Sequence, residues 1–246
     1  MHQFWRAAAC VVACGVGMNA AAMPMDLLAS FADDIEPIQG NNGWSYGFYD
    51  GDSDFGSLPF TPDDFETLPV IEPNPSAFDP IWRQPVSGLV PGGFFTGVGK
   101  GYAHPNGPVP GVASADDEQW AVIRWSNPTA LFGDALLDIG LGDWDGNSGD
   151  GVGYELFVDG ASVDSGTISN SASTDFQVEL LVPIQLTPTT EIDLAIRPLA
   201  TAANDATRVR FDVLVPEPGV MLMATGCGLS MLRRCNGMHR QRARIG

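Results

Sequence analysis

The densest ligand chemistry in the chain lies in one short stretch, Gly142–Gly151, which reads GDWDGNSGDG. Asp143, Asp145 and Asn147 occupy alternate positions, and Asp150 follows closely. Together they can offer several hard oxygens to one Ca²⁺, an ion that takes about 6–8 oxygen ligands and suits a glycine-rich loop. The EF-hand pattern is not met, because Ser148 stands where its glycine belongs and Tyr154 where its bidentate glutamate belongs. The competing use of the same residues is an inter-strand loop in which Asp and Asn bond their own backbone as Asx turns. Aromatic rings are the second source of recognition: Trp44, Tyr46, Trp82, Trp120, Trp125 and Trp144. A sugar docks its apolar ring face on an indole or phenol set among a few polar groups. Trp144, between two aspartates in a loop, is expected at the surface, with Trp44 and Tyr46 as further candidates for a stacking patch. Trp120 and Trp125 are five apart, so on a straight strand they face opposite sides.

Catalytic groups are scarce. His104 is the one histidine outside the two chain ends, and its setting, AHPNGPVP, reads as a turn. All four cysteines lie in the ends, at 10, 14, 227 and 235. No G-x-S-x-G elbow and no H-E-x-x-H occurs. A glycosidase needs only two carboxylates at about 5–9.5 Å across a cleft. With thirty acids in the chain, however, no pair is singled out.

The elements that must position these groups read as β throughout. Val152, Tyr154, Leu156 and Val158 share one face, and Asp159-Gly160 supplies the positive φ angles of a tight hairpin turn. Phe176, Val178, Leu180 and Val182 alternate with Gln177, Glu179 and Leu181, and Ile192, Leu194 and Ile196 alternate with Asp193, Ala195 and Arg197. Val209, Phe211, Val213 and Val215 repeat the pattern. Trp44–Tyr49, Gln119–Ser126 and Ala135–Leu141 add three strands. Such period-two segments predict antiparallel sheets with one wet face, packed as a two-sheet β-sandwich over 23–215. Leu58–Pro110 is rich in Pro and Gly, and proline is confined to edges, strand starts and bulges. This irregular first half is expected to supply long loops and short edge strands within the same all-β domain.

The two ends belong to a different chemical regime. Residues 1–22 carry Arg6, an apolar stretch from Ala7 to Met18 and then Ala20-Ala21-Ala22, the parts of a secretory signal peptide. Residues 216–246 read Pro216-Glu217-Pro218, then an apolar run from Gly219 to Leu232, then an arginine-rich tail beginning at Arg233-Arg234. As a helix the run would cover about 21 Å, against roughly 30 Å of bilayer hydrocarbon, so it is a short hydrophobic helix and a marginal anchor. The basic tail places that end in the cytoplasm and the body outside. Six of the twelve basic residues lie in these ends, while all thirty acids fall between Asp26 and Glu217, so the exported part carries about −24. That charge excludes nucleic acid, whose binding needs clustered Lys and Arg.

In its order of motif, short apolar segment and basic tail, the C-terminus resembles the PEP-CTERM sorting signal of exported bacterial proteins. The resemblance implies recognition of Pro216, Glu217 and Pro218 by an exosortase. It also implies transient attachment to the inner membrane and then release to the cell surface or extracellular matrix. A second resemblance runs through WSYG (Trp44–Gly47), His104-Pro105, VIRWSNP (Val122–Pro128) and GDGVGYELFVDG (Gly149–Gly160). It is similar to exported jelly-roll domains of the carbohydrate-binding and galactose-binding-like kind. The reading is an exported, non-enzymatic surface or matrix protein that binds extracellular polysaccharide, with Ca²⁺ as the one cofactor the residues suggest. The alternatives are a secreted polysaccharide hydrolase using a carboxylate pair and a purely structural matrix component.

Overall fold

The computed structural model describes residues 24–36, 38–50, 60–68, 70–72, 81–83, 96–107, 118–144, 149–171, 175–199 and 205–217, with backbone alone at 50, 70–72 and 81–83. The proposed signal peptide, the apolar run and the arginine tail lie outside the described residues. The chain divides into two compact units, one spanning Met25–Pro216 and the other joining Met1–Pro24 to Glu217–Gly246. Among the described residues no helix is long and apolar enough to cross a membrane.

The Met25–Pro216 unit is two antiparallel sheets. The first contains β1 (Met25–Ser30), β4 (Val70–Glu72), β5 (Ile81–Arg83), β6 (Gly97–Gly99), β7 (Tyr102–His104), β9 (Gly133–Asp143), β12 (Val178–Leu186) and β14 (Thr207–Pro216). Its order is β12-β9-β14-β7-β6-β5-β4, and β1 pairs along the far half of β14. The second contains β2 (Trp44–Asp50), β3 (Phe65–Thr67), β8 (Gln119–Ser126), β10 (Val152–Val158), β11 (Ala161–Ile168) and β13 (Glu191–Pro198), in the order β11-β10-β13-β8-β2-β3. One four-residue helix, Phe31–Asp34, follows β1.

The period-two faces meet between the sheets, as the alternation requires. Leu137, Ile139, Leu141, Val209, Phe211 and Val213 of the first sheet pack on Trp44, Tyr46, Ile123, Trp125, Leu156, Leu194 and Ile196 of the second. Asp159 and Gly160 hold φ of 49° and 78°, the paired left-handed turn that the Asp-Gly dipeptide predicts between β10 and β11. Edges that alternation alone does not fix moved: Phe176 precedes β12, and β14 begins at Thr207.

One expectation fails. The outer face of the second sheet is wet only in part. Tyr49, Phe60, Trp120, Val122, Phe157 and Ala195 form a second buried cluster there, with Phe65 packed against it. The segment from Phe60 to Leu68 folds back over β2, and β3 lies so close that a Cβ on Gly47 would overlap the Glu66 carbonyl and the Phe65 ring. Trp120 and Trp125 do face opposite sides, yet both are buried, one in each cluster. His104 also departs from expectation, since it ends strand β7 rather than lying in a turn.

Candidate functional site

The cover over the second sheet creates a polar site beneath it. Arg124 and Asp193 are cross-strand partners on β8 and β13, and Glu191 opens β13 opposite Ser126. Arg124 grips Asp193 with two donors, Nε to Oδ1 at 2.7 Å and Nη2 to Oδ2 at 2.6 Å. Tyr49 Oη donates to Asp193 Oδ2 at 2.6 Å. Arg124 Nη2 also donates to the Pro62 carbonyl at 2.9 Å, and Nη1 lies 3.1 Å from Glu191 Oε1. The guanidinium sits 3.9 Å over the Phe65 ring, a cation–π contact that ties the covering segment to the sheet. The Asp193 side chain is 1% exposed and that of Glu191 is 38% exposed. Asp193 is therefore a dry carboxylate, saturated by a bidentate guanidinium and a phenol.

These surroundings shift the titrating groups in directions that burial and charge explain. Burial pushes the Tyr49 phenol far above its ordinary value, and the adjacent Asp193 carboxylate adds to the effect. Burial also raises the Glu191 carboxyl, with Arg124 opposing it and Asp193 and Asp159 reinforcing it. Burial works against the Arg124 cation, but Asp193 and Glu191 outweigh it and hold the guanidinium above its usual range.

Above this network lies an open cleft of about 840 Å³, lined by Pro62, Asp63, Phe65, Arg124, Asp159, Gly160, Thr187, Thr189 and Glu191. Two of its walls, the Asp159-Gly160 turn and the segment 187–191, are tied to each other. Asp159 Oδ1 accepts from the Glu191 N–H at 2.9 Å, and the Asp159 N–H donates to the Glu191 carbonyl at 2.8 Å. Thr190 Oγ1 accepts from the Thr187 N–H at 2.8 Å. Asn127 N–H donates to the Thr190 carbonyl at 3.0 Å. The cleft thus has carboxylate and hydroxyl acceptors at its rim, and among the described lining residues its one cation is already engaged by two carboxylates.

The residues singled out from sequence fall elsewhere. Trp44 and Tyr46 are 0% and 1% exposed, inside the main core, so the stacking role expected of them is corrected: no face of either ring reaches solvent. Inward alternation of β2 puts them there, against Phe211 and Phe31. Trp144 follows β9 and is half-buried, with its ring 6.2 Å from Tyr102 and the Arg208 guanidinium 5.0 Å from its centre. Asp143 is buried and its Oδ2 accepts from the Ser171 N–H at 2.8 Å, as an inter-strand brace, while Asp150 is exposed. Asp145 and Asn147 lie outside the described residues, and among the described residues no three metal-ligating side chains converge. Pro216 is the last residue of β14 and pairs with Met25. Glu217 N–H donates to the Pro24 carbonyl at 3.1 Å. Pro218, Arg233 and Arg234 lie outside the described residues.

The Arg124–Asp193–Tyr49 network was missed in sequence. Its signal was present as Arg124 within QWAVIRWS and Asp193 within EIDLAIRP, each a charge flanked by apolar residues of a strand. Only the pairing of β8 with β13, across 69 residues, makes those two charges partners.

No family model matches the chain, and no curated protein matches it in sequence. Among solved structures, it is similar to a family 51 carbohydrate-binding module of Clostridium perfringens solved with methyl-galactose. That similarity has 12% identity over 46% of this chain and 79% of the other, with a TM-score of 0.30. It is also similar to a family 35 carbohydrate-binding module of Clostridium thermocellum, at 12% identity over 46% and 88% of the two chains with a TM-score of 0.28. A family 35 module from an environmental isolate gives 16% identity, 48% and 91% coverage and a TM-score of 0.29.

Proposed function

We propose that this chain is an exported, exosortase-sorted surface or extracellular-matrix protein whose sandwich body binds polysaccharide in the Arg124 cleft without transforming it. The observation that carries the binding reading is the state of Arg124. The guanidinium is engaged by Asp193 and Glu191, so an anionic ligand would have to displace a buried carboxylate. The remaining rim groups, Asp63, Asp159, Thr187 and Thr189, accept hydrogen bonds from hydroxyls. A neutral, hydroxyl-rich chain fits such a rim. One further observation favours hydrolysis: the raised carboxyl of Glu191 beside other cleft carboxylates resembles a general acid. Its ion pair with Arg124 at 3.1 Å weighs against that use, because a neighbouring guanidinium favours the charged carboxylate and opposes the effect of burial. Time-dependent release of reducing ends from a bound polysaccharide would establish the hydrolase instead.

The sorting half rests on the Pro216–Pro218 motif, the short apolar run and the basic tail. In a host that carries an exosortase, deletion of Pro216–Pro218 is expected to leave an unprocessed, membrane-associated chain, detected by fractionation and mass. Release of a shortened product from the deletion variant, at the wild-type rate, would refute that half while leaving glycan binding untouched.

A further inference from the structure

We infer that the cleft takes an internal stretch of an extended glycan chain rather than one terminal ring, with Phe132 as a second docking platform beyond the cleft wall. This rests on the glycan reading of the cleft. Phe132 is 77% exposed and its neighbour Leu131 is 40% exposed, in the turn between β8 and β9. The turn is not loose. Asn127, itself 8% exposed, donates from Nδ2 to the Leu131 carbonyl at 2.9 Å and to the Thr187 carbonyl at 2.8 Å. Its Oδ1 accepts from Thr129 Oγ1 at 3.0 Å. Gly133 pairs with Leu186, so Phe132 lies at the strand end opposite Thr187, a residue of the cleft wall. A buried amide thus ties the backbone of the turn that carries Phe132 to the backbone of Thr187 in the cleft wall.

An aromatic side chain this exposed adds little to the fold, since burial is what stabilises. Held on a braced turn, it offers a flat apolar face at small ordering cost, as preorganised contacts do. The cleft volume of about 840 Å³ lies high in the range of roughly 300–1,000 Å³ that encloses drug-sized ligands, room for more than one sugar ring. A chain leaving the carboxylate rim past Thr187 would meet the Phe132 ring next. A lipid surface is the other apolar occupant to consider, and the acidic body disfavours anionic bilayers.

The test uses the full exported chain with dextran, mannan, galactan, xylan and β-1,3-glucan, and with two-residue and six-residue fragments of each. Wild type is expected to bind the six-residue fragment of at least one of them about tenfold more tightly than the two-residue fragment. Phe132→Ala is expected to abolish that difference and leave the two-residue affinity and the melting temperature unchanged, and Phe132→Tyr to restore it. Binding with the same length dependence in Phe132→Ala would overturn this inference alone. So would Phe132-dependent capture on phosphatidylcholine vesicles in place of glycan. Failure of wild type to bind any of the five polysaccharides would remove the glycan reading and this inference with it.

Discussion

Arg124→Met is expected to lower the stability of the folded body by about 3–5 kcal/mol, the cost of leaving a buried carboxylate without its partner. Asp193 is the residue left behind: 1% exposed, with Tyr49 as its remaining donor. The loss is larger than for a surface ion pair, which contributes roughly 0–1 kcal/mol, because the Asp193 side chain is buried. Denaturant unfolding with an unchanged slope reads the difference directly. Removing the whole network, with Tyr49→Phe and Asp193→Leu added, is expected to recover most of the loss, since matched apolar groups often substitute for a buried pair at little cost. A loss below about 1 kcal/mol in the single variant would mean that Asp193 is hydrated and the site is open to its floor.

Trp44→Ala is the second large effect, expected at about 3–5 kcal/mol from lost transfer energy and the cavity left behind. The ring is 0% exposed and packs edge-on to Phe211 at 5.1 Å and tilted on Phe31 at 5.9 Å, joining the two sheets through their middle. Its indole N–H reaches Asp34 Oδ2 at 3.3 Å, which also fixes the short helix after β1. Because no face of Trp44 meets solvent, glycan affinity per folded molecule is expected to remain at the wild-type value. A variant of normal stability with lost binding would return Trp44 to the ligand site.

The contrast between Trp44 and Arg124 shows what the sequence made legible. Alternation identified the inward faces of β9, β10, β13 and β14, since one sheet face is apolar wherever a core must form. The Asp-Gly turn was legible for the same local reason, that its two residues tolerate positive φ. Trp44 was misplaced because an aromatic at a strand start serves a core and a sugar platform equally well in one dimension. The second buried face escaped because it depends on a distant segment, 60–68, folding over β2. Asp193 and Ala195 look like solvent-facing positions until that cover is in place. The cleft followed the same rule: its walls come from residues 62–65, 124, 159–160 and 187–191, which no local pattern brings together.

The claim at the centre is that this cleft holds glycan through its rim acceptors, and calorimetric titration of the full chain with its best-retained neutral polysaccharide tests it most directly. The decisive comparison is Asp63→Ala with Thr189→Val, because both residues line the cleft, are exposed, and stand outside the Arg124–Asp193–Tyr49 network. A hydrogen bond to a charged acceptor is worth roughly 1.5–3 kcal/mol, so the pair of substitutions is predicted to weaken binding at least about tenfold with stability unchanged. Undiminished affinity in that double variant would contradict the assignment and move the binding surface elsewhere on the sandwich.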